Sequence, residues 1–115
     1  MSIVSLGYMG INSKKLGDWE GFATDLLGMQ KVDQGGPMRM FRMDDRKQRL
    51  IVTGEGEEDL AFMGWEVGSP ADLEALAARL ENAGFPVTLH GASLSDQRHV
   101  ARLISFHDPD GNRLE

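Results

Sequence analysis

The chain has 115 residues, 41% of them hydrophobic, which suits one domain large enough to bury a real core. A formal net charge of −6 and a pI near 5.0 argue against nucleic acid or an anionic membrane as partner, because a phosphate-tracking surface needs a basic excess. Cysteine is absent, so disulfides, thiolate metal sites and a cysteine nucleophile are excluded, and with no apolar run near the roughly 18 residues of a membrane span the cytoplasm is the expected location.

In chain order, residues 3–11 read as a buried strand. Leu16, Trp19, Ala23, Leu26 and Leu27 then recur at helical spacing ahead of Gly28, a residue suited to a left-handed cap, so a helix is expected over 15–27. Strands follow at 29–33, at 38–43 after the turn Gln34-Gly35-Gly36-Pro37, and at 48–53 after Asp44-Asp45. The acidic run Glu55-Gly56-Glu57-Glu58-Asp59 reads as a solvated linker rather than a cation site.

Beyond it, 59–67 is a strand. Ser69 is a good N-cap, Pro70 fits the first helical position, and Asp72 sits where a capping-box acid would. Leu73, Leu76, Ala77 and Leu80 form the apolar stripe of a helix that ends at Gly84. Short strands are expected at 86–90, 101–107 and 112–115, with the polar stretch Gly91–Val100 as an exposed loop.

These elements repeat. Leu6-Gly7-Tyr8-Met9-Gly10 returns as Leu60-Ala61-Phe62-Met63-Gly64, and each copy leads into a helix ending in glycine. Two βαβββ modules, 1–56 and 57–115, are therefore expected within a single α+β domain.

Several tempting residues have plainer readings. His90, His99 and His107 are spaced so that neither a helix nor an alternating strand aims them together, which favours surface or loop positions over a metal cluster. Met38, Met40 and Met43 suit packing in the core or at a domain interface. Arg39, Arg42, Arg46, Lys47 and Arg49 put positive charge on one hairpin, explained most simply by the acidic linker or a neighbouring subunit. Trp19 and Trp65 match helix-face and strand-core positions. No Ser-His-Asp set or phosphate loop is present.

The paired modules, the helix end Leu26-Leu27-Gly28-Met29 and the closing Asp108-Pro109-Asp110-Gly111 with Glu115 resemble the vicinal oxygen chelate superfamily of glyoxalases, bleomycin-resistance proteins and extradiol dioxygenases. Ser5-Leu6-Gly7-Tyr8-Met9-Gly10, Asp59-Leu60-Ala61-Phe62-Met63-Gly64, Gly91-Ala92-Ser93-Leu94 and Leu103-Ile104-Ser105-Phe106 are most similar to the N-terminal domain of type I extradiol dioxygenases of the 2,3-dihydroxybiphenyl dioxygenase kind. That resemblance implies a glyoxalase-like fold, and a parent enzyme with two such domains whose C-terminal one holds Fe(II) and performs catechol ring cleavage.

It also puts the family's metal-ligand positions at Tyr8, Phe62 and Glu115. A mononuclear iron that binds a catecholate and O₂ together needs about three protein ligands, typically two His and a carboxylate. Phenylalanine has no donor atom, and a phenol with a pKa near 10 is a poor substitute for imidazole. The expectation is a chain with no metal, no other cofactor and no catalytic residue of its own, its aromatic side chains filling the cup. Its partner would be the C-terminal catalytic domain or a second copy in a dimer, and the strand stopping at Glu115 suggests a fragment. A stand-alone glyoxalase-like metalloenzyme and a metal-free aromatic- or drug-binding protein of the bleomycin-resistance type are the alternatives.

Overall fold

The computed structural model describes residues 3–32, 37–54 and 59–115; the expected turn at Gln34-Gly35-Gly36 and the acidic residues 55–58 lie outside them. The elements are β1 (Ile3–Asn12), α1 (Leu16–Gly21) running into a π-helical turn (Phe22–Leu26), β2 (Gln30–Val32), β3 (Met38–Arg42) and β4 (Leu50–Thr53). They continue with β5 (Asp59–Val67), α2 (Pro70–Asn82), β6 (Thr88–Leu89), α3 (Ala92–Arg98), β7 (Ile104–His107) and β8 (Arg113–Leu114). The expected α+β class is observed. Two compact units result, one of Tyr8–Phe62 and one of Met1–Gly7 with Met63–Glu115.

In the unit Tyr8–Phe62 the strands run β2-β3-β4-β1. β4 has all four residues buried, as a central strand of continuous apolar and β-branched character should. It lies antiparallel to β3 and parallel to β1, with Met9 opposite Leu50 and Ile11 opposite Val52. Ala23, Phe41, Leu50 and Val52 form the core, and Ile11, Leu16, Trp19 and Met29 pack against it. Met40 is also buried, whereas Met43 faces solvent.

The helix expected over 15–27 changes character at Phe22. The Thr24 hydroxyl donates to the Glu20 carbonyl at 2.7 Å, which offers that oxygen an alternative to the regular ladder. The Leu27 and Met29 N–H groups then reach back to the Phe22 and Ala23 carbonyls. A wider turn advances each residue by less than the 100° of an α-helix, so the apolar stripe drifts off the core. Ala23 stays fully buried, but Leu26 is 74% exposed and Leu27 51%, contrary to the helical periodicity. Gly28 closes the turn at φ 74°, the left-handed geometry expected of it.

In the unit that contains Glu115 the order is β1-β5-β8-β7-β6. β5 runs parallel to β8 with Met63 opposite Leu114, the counterpart of Met9 opposite Leu50. The sequence repeat is thus matched by a repeated strand register. At α2 the Ser69 hydroxyl accepts from the Asp72 N–H at 3.2 Å, Pro70 opens the helix, and Gly84 follows it at φ 92°. Leu73, Leu76, Ala77 and Leu80 are only half-buried, and Leu73 and Ala77 line an open groove of about 210 Å³ together with Val87, Leu89 and Ile104.

Two expectations fail in this unit. Gly91–Val100 is not an exposed loop: it carries α3, with Ser95 and Arg98 buried, and His99 ends it in a left-handed conformation (φ 57°). Hydrophobic periodicity misses this helix because its inward face is polar. Trp65 is 37% exposed rather than a core residue. The remaining strands occur where expected, most of them a residue or more shorter at the ends.

Gly10 has no room for a side chain, since a Cβ there would overlap the ring of Phe62, whereas a Cβ at Gly17 in α1 would meet nothing within 4 Å. Gly10→Ala is expected to cost about 1–3 kcal/mol by displacing that ring. Gly17→Ala should be neutral or stabilise by up to about 1 kcal/mol. Urea denaturation of both variants measures the difference, and equal effects would disprove the close approach at Gly10.

Candidate functional site

Tyr8 and Phe62 stand at equivalent positions of the repeat, one on β1 and the other on β5. Both are buried, and their rings meet edge to face with centroids 5.8 Å apart and planes at 73°. Such a contact is worth about 0.5–1.5 kcal/mol beyond area burial. The absence of a side chain at Gly10 leaves room for the end of the Phe62 ring against β1. The two aromatic positions singled out in the sequence are brought together here as packing partners.

Glu115 lies in the other unit. Its side chain is fully buried, and both carboxylate oxygens are engaged: Oε1 accepts from Arg98 Nε at 2.9 Å, and Oε2 accepts from the second Arg98 nitrogen at 3.2 Å and from Arg113 Nε at 3.0 Å. The Arg98 side chain is itself only 8% exposed. This is a two-toothed guanidinium–carboxylate pair, the arrangement that best compensates a desolvated carboxylate. The backbone of Glu115 is fixed as well, its N–H donating to Met63 O and its carbonyl accepting from Trp65 N–H, both at 2.8 Å. One residue therefore ties β8, β5 and α3 together. Sequence reasoning missed Arg98 altogether; the available signal was the helical spacing of Leu94, Ser95 and Arg98 ahead of a residue type that tolerates the left-handed region.

The turn before β8 delivers Glu115 to this position. Asp108 Oδ1 accepts from the Asp110 and Asn112 N–H groups at 2.9 and 2.8 Å, and Oδ2 accepts from Asn112 Nδ2 at 2.9 Å. Main-chain bonds from Asp108 N–H to Asn112 O and from Gly111 N–H to Asp108 O close the loop, with Gly111 at φ 85°. The Asn112 side-chain amide first, and its backbone N–H next, hold the Asp108 carboxyl below the usual aspartate range against the opposing effect of burial.

The histidines do not converge. His90 is half-buried and its Nε2 lies 2.6 Å from the Ser105 hydroxyl, while His99 and His107 are exposed. Among the described residues, no three His, Asp or Glu side chains are grouped to hold a metal ion. Among the described residues, acids near the basic hairpin pair with it. Arg39 and Lys31 pair with Glu20, and Arg49 pairs with Asp44, whose carboxylate also accepts from the Arg46 N–H. These bonds lower the pKa of Glu20, through Lys31 chiefly and then Arg39, and of Asp44, through Arg49 chiefly. No helix among the described residues is long and apolar enough to cross a membrane.

With this geometry in hand, the chain can be set beside known proteins. A family model described as the first domain of dihydroxybiphenyl dioxygenase, BphC D1, matches residues 6–54. The chain is 37% identical to a 1,2-dihydroxynaphthalene dioxygenase of Pseudomonas sp. (strain C18), across 99% of this chain and 38% of that protein. It is 42% identical to the biphenyl-2,3-diol 1,2-dioxygenase of Paraburkholderia xenovorans (strain LB400), across 100% of this chain and 39% of that protein. A crystal structure of catechol 2,3-dioxygenase superposes with a TM-score of 0.94 at 36% identity, over 99% of this chain and 40% of that one. The chain thus spans about two fifths of the length of the relatives it matches.

Because the folded-state pKa of Asp108 is depressed, its contribution to stability is present above the ordinary aspartate range and is lost as pH falls through the depressed value. Asp108→Ala is therefore expected to be less stable than the parent at pH 7, with the gap narrowing below about pH 4. Urea denaturation at pH 7 and pH 3 measures this, and a gap that is unchanged or wider at pH 3 would contradict the assignment.

Proposed function

We propose that the chain is a vicinal oxygen chelate domain most like the N-terminal domain of type I extradiol dioxygenases, and that it is the non-catalytic, metal-free domain of a catechol meta-cleaving enzyme in aromatic-compound degradation. The observation that carries this is the fate of the three ligand positions. Phe62 offers no donor atom, Tyr8 offers only a phenol on a buried ring that packs against Phe62, and Glu115 already gives both oxygens to guanidinium groups. These residues do not fit a mononuclear non-haem iron, which typically takes two imidazoles and a carboxylate. Catalysis, with its Fe(II), would belong to a C-terminal domain of the parent enzyme.

In that enzyme residues 1–115 form one domain of two modules, 1–56 and 57–115, whose role is structural: to cover a face of the catalytic domain and to supply subunit contacts. Exposed apolar side chains support such a role. Ile3, Val4, Leu6 and Trp65 lie on neighbouring strands of one unit, and Phe22, Leu26 and Leu27 on the helical turn of the other, all 37% exposed or more. Apolar surface of this kind is usually covered by a partner. The partner is the catalytic domain, or a second copy in a homodimer, and the location is the cytoplasm.

Incubated with Fe(II), O₂ and 2,3-dihydroxybiphenyl, the isolated chain is expected to give no yellow ring-cleavage product above a protein-free control. Product that accumulates in proportion to protein concentration and disappears on chelation would overturn the proposal.

A further inference from the structure

We infer that Arg98 is a cation built into the chain that does for Glu115 what a metal ion would otherwise have to do: neutralise the buried carboxylate and fix the closing strand. The inference rests on the proposal that the Glu115 position descends from a ligand position, and it adds a named residue and a role. Three observations carry it. The Glu115 side chain has no exposure, so its charge must be compensated from within the protein. The compensating group is bidentate and nearly as buried, with Nε and the terminal nitrogen on separate oxygens at 2.9 and 3.2 Å. Moreover, α3 is built to present it: Arg98 is the last helical residue, the chain turns away immediately at His99 in a left-handed conformation, and Ser95 one turn earlier is the other buried residue of the helix.

Arg113 does not share this role equally. It reaches only Oε2, from the strand of Glu115 itself, and its side chain is 32% exposed. Arg98 joins the end of α3 to Glu115, whereas Arg113 lies only two residues before Glu115 in the chain. A guanidinium also excludes a competing ion, because it occupies both oxygens with directed N–H groups and repels a second positive charge.

A resident counter-charge differs from ordinary core packing in how substitutions combine. Removing one partner strands a buried charge, while replacing both by apolar groups of similar volume removes the problem. Arg98→Met alone should lower the folding equilibrium constant by roughly 10²–10³-fold, and Glu115→Leu alone should also be destabilising. Arg98→Met/Glu115→Leu together should lie within about tenfold of the parent. Arg98→Lys, with a single ammonium in place of the fork, should fall between parent and Arg98→Met. Urea denaturation of the purified chain gives all four values, and circular dichroism confirms that each variant starts folded. If Arg98→Met does not fold, Arg98→Lys and the double variant still decide the matter. Additive losses in the double variant, or an Arg98→Met as stable as the parent, would overturn the role of Arg98 while leaving the domain assignment intact.

Discussion

A carboxylate without exposure has to be neutralised, and in this chain the neutralising group is a guanidinium. The Arg98–Glu115 pair is the constraint around which one of the two units is organised. Glu115 is held through its backbone to Met63 and Trp65 on β5, and through its side chain to Arg98 at the end of α3. α3 and β8 are short, of seven and two residues, and the buried residues of α3 are the polar Ser95 and Arg98. The ion pair supplies a direction that burial does not. The Asp108–Asn112 turn upstream serves the same end, because it sets where the two residues of β8 begin.

The other unit depends on a different constraint. Tyr8 and Phe62 fill space, and the absence of a side chain at Gly10 leaves room for the end of the Phe62 ring against β1. The repeat in the sequence marks equivalent places in the two modules, and at both of these an aromatic stands where the superfamily resemblance implies a ligand. The register repeats, with Met9 beside Leu50 and Met63 beside Leu114, while α3 is an element of the second half that the first does not have.

Much of this was legible in the residues. The strands, the capped helix after Ser69 and the glycine caps at 28 and 84 follow from periodicity and turn chemistry, which are local. Three features were not. The π turn at Phe22–Leu26 comes with a Thr24 hydroxyl bond to the Glu20 carbonyl, which no hydrophobic pattern registers. α3 turns Ser95 and Arg98 inward, so a count of apolar residues reads it as loop. Trp65 is exposed although its alternation in β5 suggests core, because a strand pattern tells which face a residue is on but not whether another element covers that face. At the candidate site, the chemistry of Tyr8 and Phe62 could be judged from residue type alone, whereas the state of Glu115 depends on a partner seventeen positions away whose approach only the fold reveals.

The sharpest check is metal stoichiometry. The purified chain is equilibrated anaerobically with Fe(II), and separately with Mn(II) and Zn(II), then desalted and assayed for protein-bound metal. Only substoichiometric traces are expected, unaltered by prior treatment with chelator. One tightly bound ion per chain, removed by chelation and restored on re-addition, would contradict the metal-free reading of Tyr8, Phe62 and Glu115.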